Sequence, residues 1–283
     1  MNTPSGLPAA RPFFLDAEPG ARFCLYHPPM PGAECRGALI YVHPFAEEMN
    51  KSRRMAALQA REFAACGYAV LQIDLFGCGD SSGEFAEARW EIWKQDLAAA
   101  HAWLRRTTQA PVSLWGLRLG ALLALDFAGE FQDEIRSLLL WQPVLRGEVF
   151  LTQFLRLQLA ADMLAGQAQG ESGTRALRGK LQAGEHVEIA GYTLAPALVH
   201  AIDAANAASL APPGCVVHWF ELMQEPDRPL PPPAARLVAA WQQSAVELFV
   251  HQVQCSAFWL SQEIVECPEL LTATPAGFGA IPA

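Results

Sequence analysis

The sequence predicts an α/β protein: a mainly parallel sheet flanked by helices, with a mostly helical cap inserted between its two halves. Three observations carry this. Short continuous apolar runs recur, such as GALIYV (37–42), of the kind that suits strands buried on both faces. Longer stretches with apolar residues at helical spacing lie between them, the order that joins parallel strands through crossover helices. After Pro143 the alternation stops, and CVVHWF (215–220) resumes it.

Taken in order, RFCLY (22–26) reads as a short strand and PPMPG as the turn after it. GALIYV is a buried strand ending at His43-Pro44. Residues 51–66 form a helix stopped by Gly67, a C-cap signal. YAVLQIDL (68–75) is the next strand, and FGCGDSSG (76–83), with three glycines, is a loop. Residues 86–106 read as a helix with Trp90, Trp93, Leu97 and Trp103 on roughly one face, which is expected to pack in the core. PVSLW (111–115), LGALLALDFA (119–128) and IRSLLLW (135–141) read as strand, helix and strand. Residues 147–210 hold helical patterns with only weak strand signals. PLPPP is a rigid loop, 234–247 a helix, and LFVHQVQC (248–255) the last strand. The expected organisation is a first part of the core at 1–146, a helical cap at 147–211, a second part of the core at 212–267, and a loosely ordered tail at 268–283.

Composition narrows the function. The 283 residues are 52% hydrophobic, enough for a sizeable core, and the net charge is -9. That charge argues against nucleic acid, which needs a basic face, and leaves no polybasic patch for anionic lipid. MNTPSGLPAARPFF has no continuous apolar h-region, so no signal peptide is expected, and no window approaches the roughly 18 apolar residues of a membrane span. Seven scattered cysteines without a C-x-x-C pair suggest reduced thiols and a cytoplasmic location.

In open α/β sheets ligands bind at the carboxyl ends of the strands. Four loops leave such ends here: HPFAEE (43–48), FGCGDSSG (76–83), GLRLG (116–120) and ELMQEPDRP (221–229). Their order resembles the α/β-hydrolase family over roughly residues 20–145 and 212–260. His43-Pro44-Phe45 stands where that family has a His-Gly oxyanion loop. DLFGCGDSSG looks like its D-x-x-G-x-G-x-S-x-G loop, and Gly116 to Gly120 like its G-x-S-x-G nucleophile elbow. Asp227 stands where the triad acid often lies. More closely, GCGDSSGEFAEARW followed by LWGLRLGALLA resembles the exosortase A system-associated hydrolase 2 group, found with bacterial exopolysaccharide and protein-sorting systems. The resemblance implies an ester or thioester hydrolase without a cofactor.

Two of the three triad roles are vacant. The elbow residue is Arg118, whose guanidinium stays protonated and has no lone pair to attack with. Phe258 and Trp259 stand where the family's histidine would be sought, and His251 lies earlier, within a strand. Two readings of Arg118 are open. At the start of a helix, beside free N–H groups, it can clamp a carboxylate or phosphate. Alternatively it is an internal ion pair with Asp74, Asp227 or Glu47. Cys78 is a second candidate nucleophile, activated only if a base or cation lies close. His43 is a candidate base, or else a structural hydrogen-bonding residue of its loop. Pro44 removes one donor, leaving the N–H groups of Phe45 and Leu119 for an oxyanion hole. Ser81 and Ser82 read as loop hydrogen-bonders. Glu47 and Glu48 lack a second histidine to complete a metal site, so no metal is expected. The chain is therefore either a hydrolase working without the usual triad, or a non-catalytic protein of the same fold holding a small anionic or acyl ligand, or a protein partner.

Overall fold

A computed structural model describes residues 8–32, 34–131, 133–164, 173–212, 214–225 and 228–279. The strands and helices alternate as β1 (Arg11–Asp16), β2 (Ala21–His27), β3 (Gly37–Val42), α1 (Glu47–Ala65), β4 (Tyr68–Ile73), α2 (Trp90–Thr108), β5 (Val112–Leu117), α3 (Leu119–Glu130) and β6 (Ile135–Trp141). The inserted cap holds α4 (Gly147–Leu164), α5 (Thr174–Gln182), β7 (Val187–Ile189), β8 (Tyr192–Leu194) and α6 (Pro196–Ala204). The chain then returns through β9 (Val216–Met223), α7 (Pro232–Gln243), β10 (Glu247–Gln254) and α8 (Pro268–Gly279).

The main sheet has eight strands in the order β1-β2-β4-β3-β5-β6-β9-β10. β1 and β2 pair antiparallel, as do β2 and β4; every other pairing is parallel. The reversal of strand order at β3, between β4 and β5, gathers the loops after β3, β4 and β5 at one end of the sheet, where ligands bind in such folds. One face of the sheet packs on α2, α3 and α7 through Leu97, Leu122, Phe127, Leu237 and Trp241. The other packs on α1 and α8 through Met55, Phe63, Leu270 and Phe278, which cover Trp115, Trp141 and Phe220.

Three elements differ from the sequence reading. β1, in RPFFLD, escapes it because the strand lies at the sheet edge with mostly exposed residues. The cap contains a β7–β8 hairpin, turned at Ala190 (φ 51) and Gly191 (φ 82). Two consecutive positive-φ residues suit the tight turn that matches strand twist. The segment after Pro268, expected to be a loosely ordered tail, is helix through 279, with Leu270 and Phe278 buried. Reduced thiols throughout are also corrected: Cys255 and Cys267 form a disulfide with Cα atoms 5.9 Å apart, and Cys24, Cys35, Cys66, Cys78 and Cys215 are free.

A buried ion pair ties the edge of the sheet to the glycine loop. Arg22 Nε on β2 donates to Asp96 Oδ1 on α2 at 2.6 Å, and both side chains are fully buried. The other Asp96 oxygen accepts the Phe76 N–H at 2.8 Å, while Arg22 reaches the Pro19 carbonyl at 2.7 Å and lies over the Phe76 ring. Burial pushes the Asp96 carboxyl up to about 6, against the opposing pull of the Phe76 N–H and Arg22. Removing one partner strands a buried charge. Asp96→Ala is expected to lose about 3–5 kcal/mol of stability in urea unfolding; a loss within experimental error would mean that the pair does not hold the loop.

Candidate functional site

The elbow is set by glycines that admit backbone where a Cβ cannot fit. A Cβ on Gly120 would stand 2.3 Å from the Val42 carbonyl oxygen, and one on Gly116 would stand 2.4 Å from Ala121 Cα. α3 is thereby pressed against β3 and β5, and the turn between β5 and α3 is forced tight. Arg118 at its apex has φ 56 and ψ -118. A non-glycine residue held there costs about 1–3 kcal/mol. Its N–H donates to the Trp141 carbonyl, and its carbonyl accepts from Ala121 and Val144.

Arg118 lines a crevice of about 280 Å³ with Pro143, Arg146, Val149, Phe150 and Arg236 among others. The guanidinium carbon lies 5.2 Å from the Trp259 ring centroid and 5.9 Å from that of Phe150, within cation–π range. Trp259 follows β10, at the place where the sequence resemblance calls for a histidine.

The acidic partner of Arg118 is Glu48, at the start of α1, with Nε 3.5 Å from Oε1. This corrects the expected partners: Asp74 is held by Arg53 at 3.0 Å, Glu47 by Lys51 at 2.6 Å, and Asp227 lies outside the described residues. At that separation the Arg118–Glu48 contact is an ion pair without a hydrogen bond, and both Arg118 Nε and Glu48 Oε2 are buried with no hydrogen-bond partner. Burial raises the Glu48 carboxyl, with Arg118 pulling the other way. Glu221, at the end of β9, is also buried and raised by burial. It is already satisfied by the Trp219 indole N–H and the Gln142 side-chain amide, each at 2.9 Å. The sequence reading passed over Glu48 as a partner. The available signal was its place, second in the EE pair that opens a helix facing the elbow.

The other candidates sit apart from this crevice. His43 is buried, with Nδ1 2.8 Å from the Pro44 carbonyl and Nε2 accepting the Leu75 N–H at 3.2 Å. That tautomer uses both ring nitrogens and leaves no lone pair for a base; burial lowers the ring's proton affinity further. Cys78 is buried and its thiol is raised by burial, then by Asp74 and Asp96. It shares a cavity of about 10 Å³ with His43, Phe45, Trp93 and Leu119, room for no more than a water. Among the described residues neither the Phe45 nor the Leu119 N–H has a backbone acceptor. The Phe45 ring packs edge-on against Phe150 and Phe154 of α4 and fastens the cap over the loop. Ser81 Oγ bonds the Asp74 carbonyl and the Phe23 N–H, and Ser82 Oγ accepts the Ala21 N–H. Among the described residues no group of three or more His, Cys, Asp or Glu side chains is placed to hold a metal ion, and no helix is long and apolar enough to cross a membrane.

Comparison with known proteins agrees with the fold. The family model described as serine aminopeptidase, S33 matches residues 33–187, more than half of the chain. No curated protein matches the sequence. Among solved structures, Est1E from Butyrivibrio proteoclasticus with ferulic acid bound has a TM-score of 0.67 at 14% identity, covering 94% of this chain and 97% of its own. A putative hydrolase from Agrobacterium vitis S4 has a TM-score of 0.60 at 15% identity, covering 96% and 98%. An α/β serine hydrolase without a lid from Xanthomonas campestris has a TM-score of 0.55 at 17% identity, covering 99% of each chain.

The thiols give a direct check of this geometry. Exposed Cys66 is expected to react rapidly with a thiol reagent in the folded protein at pH 8, and Cys78 only at the rate of unfolding. Mass spectrometry showing Cys78 modified as fast as Cys66 would contradict its burial.

Proposed function

The chain belongs to the serine aminopeptidase S33 family, and from that premise we propose that it is an α/β-hydrolase-fold protein that binds an anion at Arg118 in place of serine-based hydrolysis. The ligand's carboxylate or phosphate group meets the Arg118 guanidinium, and its apolar part lies along Val149, Phe150 and Pro143. Arg146 and Arg236 stand at the rim and favour the same charge. One observation carries this reading: Arg118 lines an open crevice at the apex of the elbow, yet its Nε makes no hydrogen bond to the carboxylate 3.5 Å away. A purely structural ion pair would use that donor.

Hydrolysis of an ester or thioester is the competing reading, and family membership is what favours it. The buried Cys78 thiol and the doubly hydrogen-bonded His43 supply no nucleophile–base pair for it. The resemblance of GCGDSSGEFAEARW and LWGLRLGALLA to the exosortase A system-associated hydrolase 2 group carries the finer proposal, a role in an exopolysaccharide or protein-sorting context. A cytoplasmic site of action belongs to the same proposal, as does 147–211 as a separate cap unit.

Benzoate is a suitable probe, since it joins a carboxylate to an apolar ring. Calorimetry is expected to show saturable binding that Arg118→Ala weakens roughly tenfold or more, the scale of one charge-assisted hydrogen bond. p-Nitrophenyl acetate turnover is expected to equal the buffer rate. Equal benzoate affinity in Arg118→Ala would remove the anion site, and turnover abolished by Cys78→Ala would establish a thiol hydrolase instead.

The acidic partner sets the pH dependence. Glu48 competes with the ligand for Arg118, and its carboxyl is raised by burial. As pH falls through that raised value Glu48 takes a proton and the competition ends. Benzoate affinity is therefore expected to rise until the probe's own carboxylate protonates, and Glu48→Gln is expected to flatten this rise. By the same linkage, Glu48 contributes stability at acid pH that is lost as pH rises through its raised value. Benzoate affinity that falls steadily on acidification in the native protein would contradict this competition.

A further inference from the structure

The amino ends of the strands hold a second cavity, at the opposite end of the sheet from the elbow. Ser113 lies five residues before Arg118, roughly 16 Å along the strand direction. The cavity has a volume of about 90 Å³ and is lined by Arg36, Ser113, Arg136, Ser137, His218 and Phe278, among others.

Its floor is an exception in its surroundings. On this face of the sheet, β5 continues from Ser113 to Trp115 and Leu117, β6 from Ser137 to Leu139 and Trp141, and β9 from His218 to Phe220; all the later residues are fully buried and apolar. Ser113 and Ser137 are in contact across β5 and β6, and His218 on β9 stands opposite Leu139, two residues further along the same face. Burying such groups without partners is costly. The Ser113 and Ser137 hydroxyls lie 2.8 Å apart, and one bond between them uses only one of their two protons. His218 is 1% exposed, its Nδ1 lies 3.4 Å from His251 Nε2, and its own Nε2 is buried without a partner. Burial, reinforced by His251, lowers this ring to about 4, so near neutral pH it is uncharged and carries one N–H. A bond from His251 Nε2–H to His218 Nδ1 places that N–H on His218 Nε2.

Two arginines are exposed at the mouth, Arg36 and Arg136, and Arg136 has a partner of its own. Arg36 lies over the Tyr68 ring and donates to the Cys66 carbonyl at 3.4 Å, with no acidic partner among the described residues. No described Asp or Glu lines the cavity.

We propose that this cavity binds a tetrahedral oxyanion of phosphate or sulfate size, received by Arg36 at the mouth and hydrogen-bonded by the Ser113–Ser137 pair and His218 Nε2 on the floor. The volume is room for several waters, enough for a five-heavy-atom anion. A phosphoryl group borne on a larger molecule enters the same floor with the remainder outside.

The test is a titration of full-length protein, labelled at its histidine nitrogens, followed by NMR. The probes are inorganic phosphate and O-phosphoserine, which separate a free anion from a borne one. Both are expected to move the His218 Nε2 resonance along a saturating curve, the tighter one naming the source. Arg36→Gln, an exposed change, is expected to weaken binding roughly tenfold. Ser113→Ala is expected to weaken it while leaving the melting temperature without phosphate unchanged or higher. Arg118→Ala is expected to leave phosphate binding intact and Arg36→Gln to leave benzoate binding at the elbow intact, so this site and the elbow site fail separately. A His218 resonance that stays fixed in tens of millimolar phosphate, or a response that is linear and the same in Arg36→Gln, would overturn the proposal.

Discussion

The structure depends on one steric constraint, the close approach of α3 to β3 and β5 at Gly116 and Gly120. Because a Cβ at either position would strike backbone, the turn between them has no room to relax, and the residue at its apex is driven to positive φ. Such a turn lifts whatever side chain it carries above the carboxyl ends of the strands. In a serine elbow that side chain is a hydroxyl. Here it is a guanidinium, so geometry suited to exposing a nucleophile exposes a cation.

The neighbouring residues accord with that change. A histidine beside a fixed positive charge would be repelled in its protonated form; Trp259 offers the negative face of a ring instead. Phe150 of the cap lies within range of the same guanidinium, and Phe45 locks against Phe150 and Phe154. The glycine loop is held by Arg22 and Asp96 from below and by Ser81 and Ser82 from the side. Ser81 and Ser82 are engaged in holding the loop's own shape. The surroundings of Arg118 are thus rigid and aromatic, with a single carboxylate close by that does not saturate it.

Much of the fold was legible because buried strands and amphipathic helices write their periods into the sequence. GALIYV and IRSLLLW are strands over the stretches expected, and the elbow was visible from Gly116 and Gly120 alone. β1 was not legible, since an exposed edge strand has no apolar run, and neither was α8, whose buried residues are too sparse to announce a helix. At the site, Arg118 as the odd residue was plain. Its partner was not: Asp74, Glu47 and Glu48 are equally acidic in sequence, and only the direction of each side chain decides that the first two are engaged by Arg53 and Lys51. The polar floor at Ser113, Ser137 and His218 was hidden for a related reason. Each is a single polar residue within an apolar strand, and they become one feature only when β5, β6 and β9 are laid side by side.

The central claim is that Arg118 is held at the elbow for a ligand and not for the fold. It is tested most directly by replacing Arg118 with glycine in a Glu48→Gln background and measuring unfolding free energy. Glycine relieves the positive-φ strain, and the background leaves no buried carboxylate unpaired. Relief of strain and loss of the ring contacts oppose each other, so the account predicts a change within about 1 kcal/mol. A loss of about 3 kcal/mol or more, which would mean that the Arg118 side chain itself holds the fold together, would contradict it.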